Sequence, residues 1–64
     1  MGVISDAMKA AREAVLCGKK MFVLCGRTFC LVEVVPGEYV VECDNRNAGI
    51  RVYDDGVSVR AEMM

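Results

Sequence analysis

From Gly18 onward no more than eight residues pass between one turn signal and the next, and this spacing restricts the chain to one kind of sheet. The signals are Gly26-Arg27, Pro36-Gly37, Asp44 through Ala48, and Asp54-Asp55-Gly56. The β-branched and aromatic runs between them read as strands at Lys20–Cys25, Thr28–Val35, Tyr39–Cys43, Gly49–Tyr53 and Val57–Glu62. Connections this short join antiparallel neighbours, because a parallel pair needs a crossover of roughly a dozen residues or more. The spacing therefore predicts an antiparallel β meander of four to five strands over about 20–62.

The segment ahead of the meander has a different texture. Ala7, Ala10, Ala11 and Ala14 raise helix propensity across about 5–17. Ser5 is a suitable N-cap, Asp6 suits the positive end of the helix dipole, and Gly18 suits the left-handed residue that ends a helix. Met8, Ala11 and Val15 fall on one stripe, widened by Ala7, Ala14 and Leu16, with Asp6, Lys9, Arg12 and Glu13 largely opposite. Small alanines on the buried side let such a helix lie close to a sheet. The expected fold is α+β, one N-terminal helix packed on the meander, as a single domain over 1–64. A core this small is thin, and such domains often need a staple or a partner.

Turn chemistry gives an expected register. With Pro36-Gly37 at the centre of a turn, Val34 faces Tyr39, Val32 faces Val41 and Cys30 faces Cys43, all on the core side. With Asp55-Gly56 as a two-residue turn, Val52 faces Val59 and Ile50 faces Ala61. Placing Val41 opposite Val52 sets Glu42 opposite Arg51, an opposite-charge pair on the outer face. In this register Phe22, Leu24, Phe29 and Leu31 form an apolar outer surface, available to a partner, a second copy or the N-terminal residues.

Several kinds of chemistry are excluded or disfavoured. The chain has no histidine, which removes the commonest general base and any Cys-His hydrolase. It has no Gly-rich phosphate loop and no nucleophile elbow. Asp54-Asp55-Gly56 lacks the further ligands of a calcium loop and reads as a turn. Cys17, Cys25, Cys30 and Cys43 are spaced C-x7-C-x4-C-x12-C, with no C-x-x-C pair for a zinc site. They are either reduced thiols used as small buried hydrophobes or at least one disulfide, with Cys30–Cys43 the pair in reach. No catalytic residue, metal or cofactor is expected. No apolar run approaches the roughly 18 residues of a membrane span, and no signal peptide is expected.

Charge layout carries the functional hint. Net charge is −1, but residues 1–30 hold a surplus of three positive charges and residues 31–64 a surplus of four negative ones. In the expected meander the Pro36-Gly37 and Asp55-Gly56 turns share one end of the sheet. Glu38, Asp54 and Asp55 should gather there, with Glu33, Glu42 and Asp44 nearby. Such a rim presents to a basic groove roughly what phosphates present. Direct nucleic-acid binding through Lys9, Arg12, Lys19, Lys20 and Arg27 is the weaker reading, because Phe22 and Phe29 are the sole stacking platform.

The short chain, its Met-Gly-Val-Ile-Ser-Asp-Ala-Met start, the helix-then-meander plan and the acidic second half resemble small phage-encoded anti-CRISPR proteins. The likeness is to those directed at type I surveillance complexes. It covers the whole chain in style, rests on no diagnostic motif and transfers no binding residue. It implies a non-enzymatic inhibitor in the cytoplasm of the host bacterial cell, a monomer or weak dimer. Such an inhibitor binds a Cas protein or the Cascade complex and blocks target DNA. The alternative is a small phage structural or assembly module that self-associates through the exposed apolar sheet face of Phe22, Leu24, Phe29 and Leu31.

Overall fold

The computed structural model describes residues 3–64, with side chains described from Ser5 onward. One helix, α1 (Val3–Leu16), precedes five strands: β1 (Met21–Leu24), β2 (Arg27–Val35), β3 (Glu38–Cys43), β4 (Arg46–Asp54) and β5 (Val59–Met63). All neighbours pair antiparallel in the order β1-β2-β3-β4-β5, an α+β meander as the turn spacing predicts. The sheet curls into a half-barrel, so that α1 touches both edge strands, β1 and β5, as well as β4.

The helix begins two residues earlier than expected, so Ser5 stands within its first turn and not at the N-cap; Asp6 is in that turn as well. Its end follows the expectation. The Gly18 N–H donates to the Val15 carbonyl at 3.1 Å and the Lys19 N–H to the Ala14 carbonyl at 2.8 Å, the paired bonds of a Schellman ending. Ala7, Ala11 and Ala14 are buried against Leu31, Val41, Ile50, Val52 and Val59, with Met8 and Val15 at the margin. Leu16, expected on the packing stripe, is exposed. The alanines let the helix axis approach the sheet, and large side chains from the strands fill the space between.

Three registers differ from expectation, each with a local irregularity or loop behind it. Pro36-Gly37 does connect β2 and β3, and Val35 faces Glu38. A bulge between Glu33 and Val35 then shifts every later pair by one residue. Leu31 faces Val41, Val32 faces Val40, Glu33 faces Tyr39, Phe29 faces Cys43 and Cys30 faces Glu42. A one-residue shift exchanges the two faces of a strand. Phe22, Leu24, Phe29 and Leu31 therefore point inward and pack on or within the core, with the Phe22 and Phe29 rings stacked at 5.0 Å between centroids. Val32 and Val34 are exposed instead. The cause lies in the turn: proline locks φ near −65° and Gly37 sits at +84°, the signature of a type II turn. That turn splays strands that a primed turn would match, and the bulge absorbs the misfit.

The β4–β5 connection slips by two residues, which preserves the faces. Asp54 faces Val59, Tyr53 faces Arg60, Val52 faces Ala61, Arg51 faces Glu62 and Ile50 faces Met63. Val57, expected in the strand, belongs to the loop and is exposed. Between β3 and β4 the expected Glu42–Arg51 pair does not form: Arg51 faces Val40 and Glu42 faces Asn47, with an irregularity around Gly49 in between. Both remaining hairpins close on two left-handed residues, Cys25-Gly26 and Asp44-Asn45, the geometry of type I′ turns. Strand β4 thus starts at Arg46, earlier than the expected Gly49.

Cys30 and Cys43 lie on opposite faces of the sheet and not side by side on the core, because of the same one-residue shift. All four thiols are free; Cys17, Cys25 and Cys30 are exposed and Cys43 is half-buried. Native-state alkylation followed by peptide mapping is expected to label Cys17, Cys25 and Cys30 ahead of Cys43. Mild oxidation should give no intramolecular Cys30–Cys43 bridge, since their Cβ vectors diverge.

Candidate interaction surface

The Pro36-Gly37 turn and the Asp55–Ser58 loop meet at one end of the sheet. The Asp54 N–H donates to the Gly37 carbonyl at 2.8 Å, which ties the two turns together. Glu38 and Asp54 border an open cleft of about 300 Å³ with Asp55, Pro36, Tyr53 and Arg60. The three acids that turn geometry was expected to gather are gathered.

Most of these carboxylates also shape the backbone. Asp54 Oδ1 accepts the Gly56 N–H at 2.9 Å. Asp55 Oδ1 accepts the N–H groups of Val57 at 2.8 Å and Ser58 at 2.9 Å. These are Asx-type captures, in which a short acidic side chain holds the turn that follows it. The Ser58 and Val57 hydrogen bonds stabilise the charged form and hold the Asp55 carboxyl below its ordinary range. Glu33 Oε2 accepts the Gly37 N–H at 3.3 Å. Among the described residues Glu38 has no ion-pair partner.

Residues beyond the expected set complete this end. Arg60 lies with its guanidinium carbon 4.8 Å from the centroid of the Tyr53 ring, and its Nε is 3.1 Å from Glu62 Oε2. That is the one ion pair among the described residues. Tyr39 is on the inner face, opposite Glu33 and Val52. Burial, then the nearby charges of Glu33 and Asp54, raise its phenol above the ordinary tyrosine value. The two-residue slip of β5 is what sets Arg60 beside Tyr53; a two-residue Asp55-Gly56 turn would have put Ser58 there.

Glu42 and Asp44 are not part of the cluster. Asp44 sits in the opposite turn, roughly 20 Å away along β3 at about 3.3 Å per residue. There it borders a shallow cleft with Arg27 and Arg46, whose charges offset it. Of the six acids expected on one surface, Glu33, Glu38, Asp54 and Asp55 share an end, and Glu42 and Asp44 lie towards the other. The expected Phe22/Leu24/Phe29/Leu31 association surface is turned towards the core instead of the outer face, with Leu31 buried and Phe22, Leu24 and Phe29 half-buried against it.

Among the described residues no group of three His, Cys, Asp or Glu side chains is placed to hold a metal ion. No helix there is long and apolar enough to cross a membrane. These features define a small helix-on-meander domain with a carboxylate-rich end. The chain matches no family model, no curated protein and no solved structure.

Proposed function

We propose that this chain is a non-enzymatic inhibitor of the small phage anti-CRISPR kind, which seats the acidic end of its sheet in a basic groove of a type I Cas surveillance complex and keeps target DNA out. The observation that carries the reading is the convergence of Glu38, Asp54 and Asp55 on two turns tied by the Asp54–Gly37 hydrogen bond. A fixed backbone holds the charges in one arrangement, which favours charge-steered docking over a diffuse acidic tail. The partner is a Cas protein or Cascade, the setting is the host bacterial cytoplasm, and the protein itself binds no nucleic acid, cofactor or metal.

The test is target-DNA binding by a purified surveillance complex, with and without the protein. Because Asp54 and Asp55 also cap the loop, charge is best removed while leaving an acceptor oxygen in place. The triple variant Glu38→Gln, Asp54→Asn, Asp55→Asn should inhibit at least tenfold more weakly than the parent, mainly through slower association, and the parent's inhibition should weaken with salt. Single neutralisations should each be small, in line with rim charges worth under about 1 kcal/mol. Equal inhibition by parent and triple variant at equal folded concentration overturns the acidic-end mechanism. A parent that leaves DNA binding untouched overturns the inhibitor assignment itself.

A further inference from the structure

The two edges of the sheet are not alike. In β5 the strand edge is guarded. Pairing of Met64 with Gly49 through the Met64 N–H at 2.9 Å fixes the alternation, so Val59, Ala61 and Met63 direct their backbone groups outward. The outward Val59 carbonyl is already taken by Arg12 Nε at 2.8 Å, and Arg60 and Glu62 place charge along the strand. Charge and covering groups of this kind discourage pairing with another chain.

Among the described residues strand β1 has no such protection. Its sequence is Met-Phe-Val-Leu, with no charge, proline or bulge. The Leu31 N–H donates to the Lys20 carbonyl at 2.8 Å, which makes Lys20–Leu31 a hydrogen-bonded pair. By alternation Phe22–Phe29 and Leu24–Arg27 are the next such pairs, and Met21 and Val23 turn their N–H and C=O groups to the free edge. The side chains of Met21 and Val23 are 53% and 68% exposed. Beside this edge runs an open groove bordered by Ala10, Glu13 and Cys17 of α1, so the helix flanks the strand without covering it.

We infer that β1 is a dimerisation edge and that its occupant is β1 of a second copy of this chain, paired antiparallel about a two-fold axis at Phe22. In that register Met21 faces Val23 of the second copy and Val23 faces its Met21. Both facing pairs are of the hydrogen-bonded kind, so each outward backbone group of Met21 and Val23 finds a partner. The four side chains, exposed in the single chain, meet on one face and shield one another from water across the axis. No like charges oppose one another along the paired strands. A second copy fits better than an unrelated extended peptide because the strand complements itself. One open edge per chain also closes the assembly: β5 is guarded, so pairing stops at a dimer of two five-stranded sheets and does not propagate into a fibre.

The test is mass by sedimentation or light scattering on the full chain under reducing conditions, with amide hydrogen exchange on the same samples. The parent should form a dimer, twice the 7.0 kDa of the monomer, with slowed exchange at the Met21 and Val23 amides that is lost on dilution. Val23→Lys puts one lysine opposite Met21 in each facing pair and two like charges diagonally across the axis, and should shift the dissociation constant at least a hundredfold, to monomer, with an unchanged circular dichroism spectrum. Val57→Lys, in the loop at the far edge, should leave the dimer intact. A parent that stays monomeric at high concentration overturns the inference. So does a folded Val23→Lys variant that dimerises like the parent, or a dimer whose Met21 and Val23 amides exchange freely.

Discussion

Ile50→Ala should lower the melting temperature by about 12–30 °C, close to the limit of what a domain of this size tolerates. Ile50 is 1% exposed and, with Val41 and Val52, is among the largest fully buried side chains. It stands on the inner face of β4, where β3 and β5 flank it and the small side chains of Ala7, Ala11 and Ala14 form the floor of the helix. The buried helix residues of this core are alanines, which have no side chain to swing into a void. Truncation of the sec-butyl side chain to a methyl therefore loses both the transfer free energy of the deleted carbons and the packing around the cavity, about 3–4 kcal/mol. A chain of 64 residues has roughly 3–10 kcal/mol of stability in all. Each kcal/mol shifts the midpoint by about 4–8 °C at this size. Thermal melts followed by far-ultraviolet circular dichroism measure it. Val57→Ala, in a loop position 93% exposed, is the reference and should change stability by no more than about 0.5 kcal/mol. Equal melting of the two variants would show that the helix–sheet interface is not the stabilising core.

What the sequence made legible was whatever is set by short-range chemistry. The Ala-rich segment and Gly18 placed the helix and its ending. The turn spacing placed an antiparallel meander, and the inner face of β3, with Tyr39, Val41 and Cys43, came out as expected. The inner face of β2 did not, because two patterns competed there. Cys30, Val32 and Val34 alternate as well as Phe29 and Leu31 do, and one bulge decides between them. Volume settles the matter: Phe29 and Leu31 fill the half-barrel with Phe22 and Leu24 from β1, and the valines are left outside. The Cys30–Cys43 proximity was lost with that same shift.

The acidic end was legible in outline and not in detail. That the two turns share an end follows from meander topology alone, so Glu38, Asp54 and Asp55 could be placed together. The Asp55-Gly56 pair reads as a two-residue hairpin, yet Asp55 captures two N–H groups beyond Gly56 and holds a longer loop. A side chain that replaces backbone pairing is invisible to alternation. The resulting slip brings Arg60, not Ser58, beside Tyr53. Distance along β3 separates Asp44 from the cluster, a point that counting residues per strand would have raised.

Gly37→Ala is expected to remove about 3 kcal/mol or more of stability and to separate the two turns that carry the acidic end. Two constraints act at this residue. Its φ is +84°, where an L side chain costs roughly 1–2 kcal/mol. In addition, a Cβ there would stand 2.6 Å from the Asp54 carbonyl oxygen, a backbone atom that cannot rotate away. The close approach is the geometry of the Asp54 N–H to Gly37 C=O bond at 2.8 Å, so the methyl group and that hydrogen bond exclude one another. Gly56→Ala isolates the first constraint: its φ is +87°, but nothing lies within 4 Å of the added Cβ. Gly56→Ala should therefore show the conformational strain alone, and Gly37→Ala the strain plus the lost tie. Melting temperature gives the difference, and amide exchange at Asp54 reports the tie directly, with protection lost in Gly37→Ala and kept in Gly56→Ala. If the acidic end acts as one surface, Gly37→Ala should also weaken inhibition of DNA binding although it alters no charge, because Glu38 and Asp54 no longer hold one spacing. Matching stability and matching Asp54 protection in the two variants would mean that the turns are not coupled, and that Glu38 and Asp54 present themselves to a partner independently.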